Sequence, residues 1–178
     1  MDTTLIDAAA GALRIGGVYL KDSHVHCKEG FLPQFVDDGL SLVPQYRGGA
    51  TGEIRVISAK QEDGDAAKIV LFYFFAGVRL VEGASLEAAE AQQDVPDEAV
   101  YVEITTEFYA QYDCDAGVDD KALRPAFEEF GRYNVGYQIW PYWREYVQNI
   151  CARLGLPPIP VPMYRIPQRE PGSENSSE

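Results

Sequence analysis

Alternation of apolar and polar side chains marks four stretches of this chain as β-strands. Leu13 to Cys27 places Leu13, Ile15, Tyr19 and Val25 on one side and Val18, Leu20, Asp22, His24 and His26 on the other. Gly16-Gly17 in its middle predicts a bulge or a close approach of backbone. Glu53 to Glu62 reads as a second strand, closed by the turn signal Glu62-Asp63-Gly64-Asp65. Lys68 to Glu82 carries the strongest pattern, with Val70, Phe72, Phe74, Ala76, Val78 and Leu80 on one face. Its other face, Ile69, Leu71, Tyr73 and Phe75, is nearly as apolar. Such a strand needs cover twice, from its own core and from a subunit or a bound chain. Ala99 to Tyr112 alternates cleanly, with Val100, Val102, Ile104, Phe108 and Ala110 inward. Short turns make the last three strands antiparallel neighbours.

Between the first two strands, Lys28 to Gly52 contains Gly30, Pro33, Gly39, Pro44, Gly48 and Gly49, and reads as a long connection. It is nonetheless rich in large apolar groups: Phe31, Leu32, Phe35, Val36, Leu40, Leu42, Val43 and Tyr46. Long irregular segments of this kind are uncommon and often functional. Leu86 to Gln93 is compatible with a short helical turn. After Asp119-Asp120, which supply capping and N-terminal charge, Leu123, Phe127 and Phe130 fall at helical spacing. Pro141 costs about 3 kcal/mol inside a regular helix, which predicts a break near Asn134 to Trp140. Trp143, Val147, Ile150 and Leu154 then form a second helical stripe, stopped by Gly155 and Pro157-Pro158. Leu156 to Ile166 alternates proline with apolar residues and is expected to be extended. The order of elements predicts an α+β fold: a four-stranded antiparallel sheet with C-terminal helices packed on one face. We expect one domain over residues 1–166, with 1–11 an N-terminal extension, and a disordered polar tail over 167–178.

The chain has 178 residues, 46% of them apolar, enough for a single core. No apolar run reaches the roughly 20 residues of a membrane span. Met1 to Gly11 holds two aspartates and no base, unlike a signal peptide, so a cytoplasmic location without membrane insertion is expected. Cys27, Cys114 and Cys151 are odd in number and widely spaced, as bystander thiols are. The net charge of −13 is unevenly spread: twelve acids and no Lys or Arg occur from Glu82 to Asp120. That is a solvated face or a landing surface for a basic partner, and it disfavours nucleic acid. His24 and His26 share a strand face with Asp22, but three possible ligands without a fourth do not predict a metal site. No nucleophile motif occurs, and the glycine-dense Arg47 to Gly52 lacks a phosphate-loop lysine. Glu103 and Glu107 are too far apart along a strand to share a proton. The residues predict neither an enzyme nor a cofactor.

Ile15-Gly16-Gly17-Val18-Tyr19-Leu20-Lys21-Asp22 resembles the first strand of the SecB export chaperones. Trp140-Pro141-Tyr142-Trp143-Arg144-Glu145, followed by Arg153, Pro157, Ile159 and Val161, resembles the helix and continuation of the same family. The resemblance covers about Leu13 to Ile166. It implies a homotetramer, a dimer of dimers, with helices at the centre and sheets outside. It further implies an ATP-independent holdase for unfolded preproteins awaiting the motor SecA. The connection Lys28 to Gly52 then maps onto the client groove, making Phe31, Leu32, Phe35, Val36, Leu40, Leu42, Val43 and Tyr46 client-binding residues. SecA docking maps onto Asp22, His26, Tyr101 and Glu103. Two departures stand out: His26 occupies a position usually acidic, and the second C-terminal helix of the family is missing. SecB-like chaperones that protect an antitoxin are the alternative within the class. A carrier of a small hydrophobic ligand, with Lys68 to Glu82 lining its cavity, is the alternative outside it.

Overall fold

The computed structural model describes residues 1–35, 39–60, 66–83 and 95–165. The expected turn at Leu86 to Gln93, Val36 and the tail from 166 onward lie outside the described residues. Helix α1 (Thr3–Ala12) leads into β1 (Leu13–Cys27), β2 (Leu42–Lys60), β3 (Ala66–Glu82) and β4 (Val100–Cys114). Helix α2 (Arg124–Phe130), a π-helical turn (Gly131–Val135) and helix α3 (Gly136–Leu154) follow. The strands form one antiparallel sheet in the order β1-β4-β3-β2, so β1 and β2 are its edges. The fold is α+β, as the sequence pattern predicts.

The core lies between the sheet and the C-terminal helices. Phe72, Phe74, Ile104 and Tyr112 meet Phe127, Val135, Ile139, Trp143 and Val147, all fully buried or nearly so. Burying each such side chain stabilises the fold by about 1.5–3 kcal/mol. Phe72 stands edge-on to Tyr112 at 5.3 Å and to Phe127 at 6.4 Å. Its ring fills the space a Cβ on Gly131 would need, 2.9 Å away, so glycine alone fits at the head of the π-helical turn. Thr106 is the one buried polar side chain among the described residues, and its hydroxyl donates to the Ala76 carbonyl at 3.1 Å. The indole N–H of Trp143, also in this core, finds no hydrogen-bond partner.

Several expectations are corrected. The second strand begins at Leu42, not Glu53, so the connection shrinks to residues 28–41. Pro44 is tolerated because β2 is an edge strand, and Gly48 because a Cβ there would sit 3.0 Å from the Phe75 carbonyl oxygen. The pairing with β3 slips between Ala50 and Ile54, where Gly52 adopts φ +80°. In β1 the glycine pair does produce a bulge, between Ile15 and Gly17, and a second shift follows between Leu20 and Asp22. These shifts move Val18 and Leu20 to the helix side with Leu13, Ile15 and Val25, and send Tyr19 outward. The irregularity expected near Asn134 to Trp140 is found at the N-terminal end of that range, and the helix is regular from Gly136 on. It takes the form of the π-helical turn Gly131–Val135, and α3 runs through Pro141, which lies on its exposed side. Gly155 ends α3 in the left-handed conformation, φ +71°, as expected of a C-terminal glycine.

The N-terminal residues, read only as an extension, form α1. Asp2 caps it, accepting from the amides of Thr4 at 2.9 Å and Leu5 at 3.2 Å. Ala9 and Ala12 are buried, and the helix packs on α2. Among the described residues no helix is long and apolar enough to cross a membrane.

Candidate functional site

The apolar residues of the β1–β2 connection divide into two groups. Leu32 and Phe35 flank a single 3-10 turn, Pro33–Phe35, closed by the Phe35 amide on the Leu32 carbonyl at 3.0 Å. Their side chains stand in solvent, 58% and 79% exposed. Phe31 turns inward instead, edge-on to Tyr101 at 5.1 Å. Leu40 is half-buried, Leu42 and Tyr46 pack against the main core from β2, and Val43 joins Val81, Val95 and Val100 in a smaller cluster. A second exposed row lies on the helix side of β1: Ile15 at 50%, Leu20 at 44% and Val25 at 36%. It sits beside the strand edge that has no neighbour in the described sheet.

A groove between β2 and α3 is filled by the chain itself. After Gly155 the segment 156–165 runs outside helix and strand, with Ile159 and Val161 buried and a tight turn at Pro160 closed by the Val161 amide on the Ile159 carbonyl at 2.9 Å. Three side chains hold its main chain. Gln148 Nε2 donates to the Ile159 carbonyl at 2.6 Å, Tyr46 Oη to that of Pro160 at 2.9 Å, and Trp140 Nε1 to that of Pro162 at 2.7 Å. Tyr164 packs on Trp140 at 5.3 Å and on Phe74 at 6.1 Å. Burial pushes the Tyr46 phenol up to about 12, so it keeps the proton it donates.

The outer face of the sheet explains the two-sided apolarity of β3. Tyr19 stacks on Tyr109 at 5.3 Å, and Tyr109 meets Tyr73 at 6.1 Å. Lys21 Nζ lies 4.9 Å from the Tyr73 ring centre, Arg55 5.4 Å from the same ring, and Arg47 5.2 Å from that of Phe75. Cationic head groups therefore cover Tyr73 and Phe75, two of the four apolar side chains on the outer face of β3. The head groups of these cations hold the acids of the face. Glu103 Oε1 accepts from Arg79 at 2.6 Å and from Arg47 at 3.1 Å; Lys21 pairs with Glu107 at 2.8 Å and Arg55 with Glu53 at 2.7 Å. His26 lies opposite Glu103 in the ladder, Asp22 opposite Glu107, and Tyr101 under the Lys28 ammonium at 4.3 Å. The four positions expected for SecA docking thus share one face, but Glu103 is already neutralised by two arginines.

Other chemistry finds little support. Among the described residues no cluster of three or more His, Cys, Asp and Glu is placed to hold a metal ion; the rings of His24 and His26 stand 6.3 Å apart. The three thiols are free, and burial raises the pKa of each. A cleft of about 1220 Å³ opens between the start of α1, the β2 bulge and the π-helical turn. Asp2, Glu53, Glu128, Glu129 and Arg132 border it, and β3 contributes Phe72 and Tyr73.

No protein-family model matches the chain, and no curated protein matches it by sequence. In structure the chain is similar to the SecB-like chaperone Rv1957 of Mycobacterium tuberculosis, solved in complex with a ChAD peptide from the Rv1956 HigA1 antitoxin. The TM-score is 0.54 at 17% identity, over 91% of this chain and 98% of that one. The chain therefore has a SecB-like fold.

Proposed function

We propose that the protein is a cytoplasmic, ATP-independent holdase that binds unfolded polypeptide segments, with no catalytic step of its own. The observation that carries this reading is the adjacent pair Leu32 and Phe35, two large apolar side chains held in solvent by a closed turn. Covering both contributes about 3–6 kcal/mol, which corresponds to weak single-site binding. Several such sites on one oligomer raise avidity by about 10²–10⁴ without requiring a client sequence. A second copy set against Ile15, Leu20 and Val25 at the free edge of β1 supplies the first step of that assembly, and the SecB resemblance supports a homotetramer.

Replacing Leu32 and Phe35 together with Ser is expected to abolish protection of an aggregating client while the mass in solution stays unchanged. Full protection by this variant would sink the reading. Within the class, the ion-paired state of Glu103 favours a dedicated client, such as an antitoxin, over docking to SecA. The peptide complex of the structural neighbour supports the same choice. A SecA tail peptide is expected to show no measurable affinity in titration calorimetry; salt-sensitive binding lost on Glu103→Lys would restore the export role.

A further inference from the structure

We propose that His24 and His26, on the outer face of β1, chelate a single borderline divalent transition ion such as Zn²⁺ or Ni²⁺. The two stand two places apart on an extended strand, so both project from the same face. Their partners across the ladder are Thr105 and Glu103, which places them on the outer face with the other odd-numbered residues of β4. Their ring centres are 6.3 Å apart, and the ring planes lie within 8° of parallel. Both side chains are exposed, and among the described residues neither imidazole takes part in a hydrogen bond or an ion pair. Imidazole nitrogen suits ions of this class, and neither ring has to leave a partner to bind one.

A zinc ion sits about 2.0–2.1 Å from an imidazole nitrogen, so two rings on one tetrahedral ion have their centres roughly 5 Å apart. Closing the pair from 6.3 Å takes about 1 Å of movement, which small rotations of two solvent-exposed side chains supply. No third side chain joins them. Asp22 shares the face but stands four places from His26, about 13 Å along the strand, too far for one ion to touch both. It contributes charge that favours the arrival of a cation, and no bond. The Glu103 carboxylate, opposite His26, is held by Arg47 and Arg79. The site is therefore open, with two protein nitrogens and its other positions facing water, which agrees with the lack of a three-ligand cluster among the described residues.

The test is calorimetry with Ni²⁺ alone on the full chain, free of any affinity tag. One ion is expected to bind per chain. His24→Asn and His26→Asn are each expected to weaken binding at least about tenfold, because the second imidazole acts as an intramolecular ligand once the first has bound. Both positions are exposed, so the thermal melt of each variant is expected to match that of the parent. Absence of saturable Ni²⁺ binding by the parent overturns the proposal, and so does binding that survives either substitution undiminished. Co²⁺ in place of Ni²⁺ separates nitrogen from sulfur ligation. Visible absorption without a near-ultraviolet thiolate band is expected; a thiolate band would assign the ion to a cysteine and overturn the proposal. Client protection is measured without metal, so neither failure touches the holdase reading.

Discussion

The two faces of the sheet bury aromatic rings in opposite ways. On the helix side, Phe72, Phe74 and Tyr112 are covered by other apolar groups from α2 and α3. On the outer side, Tyr73 lies under the charged groups of Lys21 and Arg55 and Phe75 under that of Arg47, and these cations are paired with Glu107, Glu53 and Glu103, while Tyr19 stays half-exposed beside Tyr109. The first face is dry and indifferent to salt. The second combines apolar contact with screened charge and stays wet at its surface. A strand apolar on both faces does not by itself mark an interface, because cations of the same chain cover part of the second face. Exposure that lacks such a roof, at Leu32, Phe35 and the β1 row, is the more informative sign.

Phe74→Ala provides the largest test of this contrast. It empties the dry face beside Trp140 and Tyr164 and is expected to cost about 3–5 kcal/mol in urea unfolding. Tyr73→Ala, the adjacent residue on the wet face, is expected to cost about 2 kcal/mol; a cost equal to that of Phe74→Ala would erase the distinction. Arg55→Ala is expected to cost less than Tyr73→Ala, and its effect should shrink as salt is added, whereas that of Phe74→Ala should not. The smallest effect concerns Asp120, whose pKa is lowered below 3.8, first by the hydrogen bond from Lys68, itself 2.9 Å away. A lowered folded pKa means that this contribution is present above the unfolded pKa and is lost as pH falls through the folded one. Asp120→Asn should accordingly flatten the acid limb of the stability curve below about pH 4; an unchanged limb would deny the pair any role.

Strands β3 and β4 were legible because their alternation is unbroken and both neighbours in the sheet are present. Strand β2 was not, since Pro44, Gly48 and Gly49 read as breakers and only its position at an edge makes them tolerable. The faces of β1 were partly misassigned because two register shifts invert parity, and local spacing does not reveal where a slip falls. Helix α1 went unread: its Asp2 cap was visible, but alanines give no apolar stripe until α2 is there to bury them. The shared face of Asp22, His26, Tyr101 and Glu103 followed from resemblance and parity. The neutralisation of Glu103 did not, because Arg47 lay in a segment read as loop and ion pairs across strands depend on register. For residues 156–165, proline alternation excludes a helix, while the turn at Pro160 and the burial of Ile159 and Val161 depend on tertiary contacts.

The two tryptophans sit in unlike surroundings, and this gives the molecule its own optical reporter. The Trp143 indole is enclosed and unbonded, so its fluorescence is expected at the blue end of the tryptophan range. The Trp140 indole donates to the Pro162 carbonyl and is expected to emit further to the red. Loss of the Trp140–Pro162 contact is expected to change the second emission alone, whereas unfolding of the core is expected to shift both.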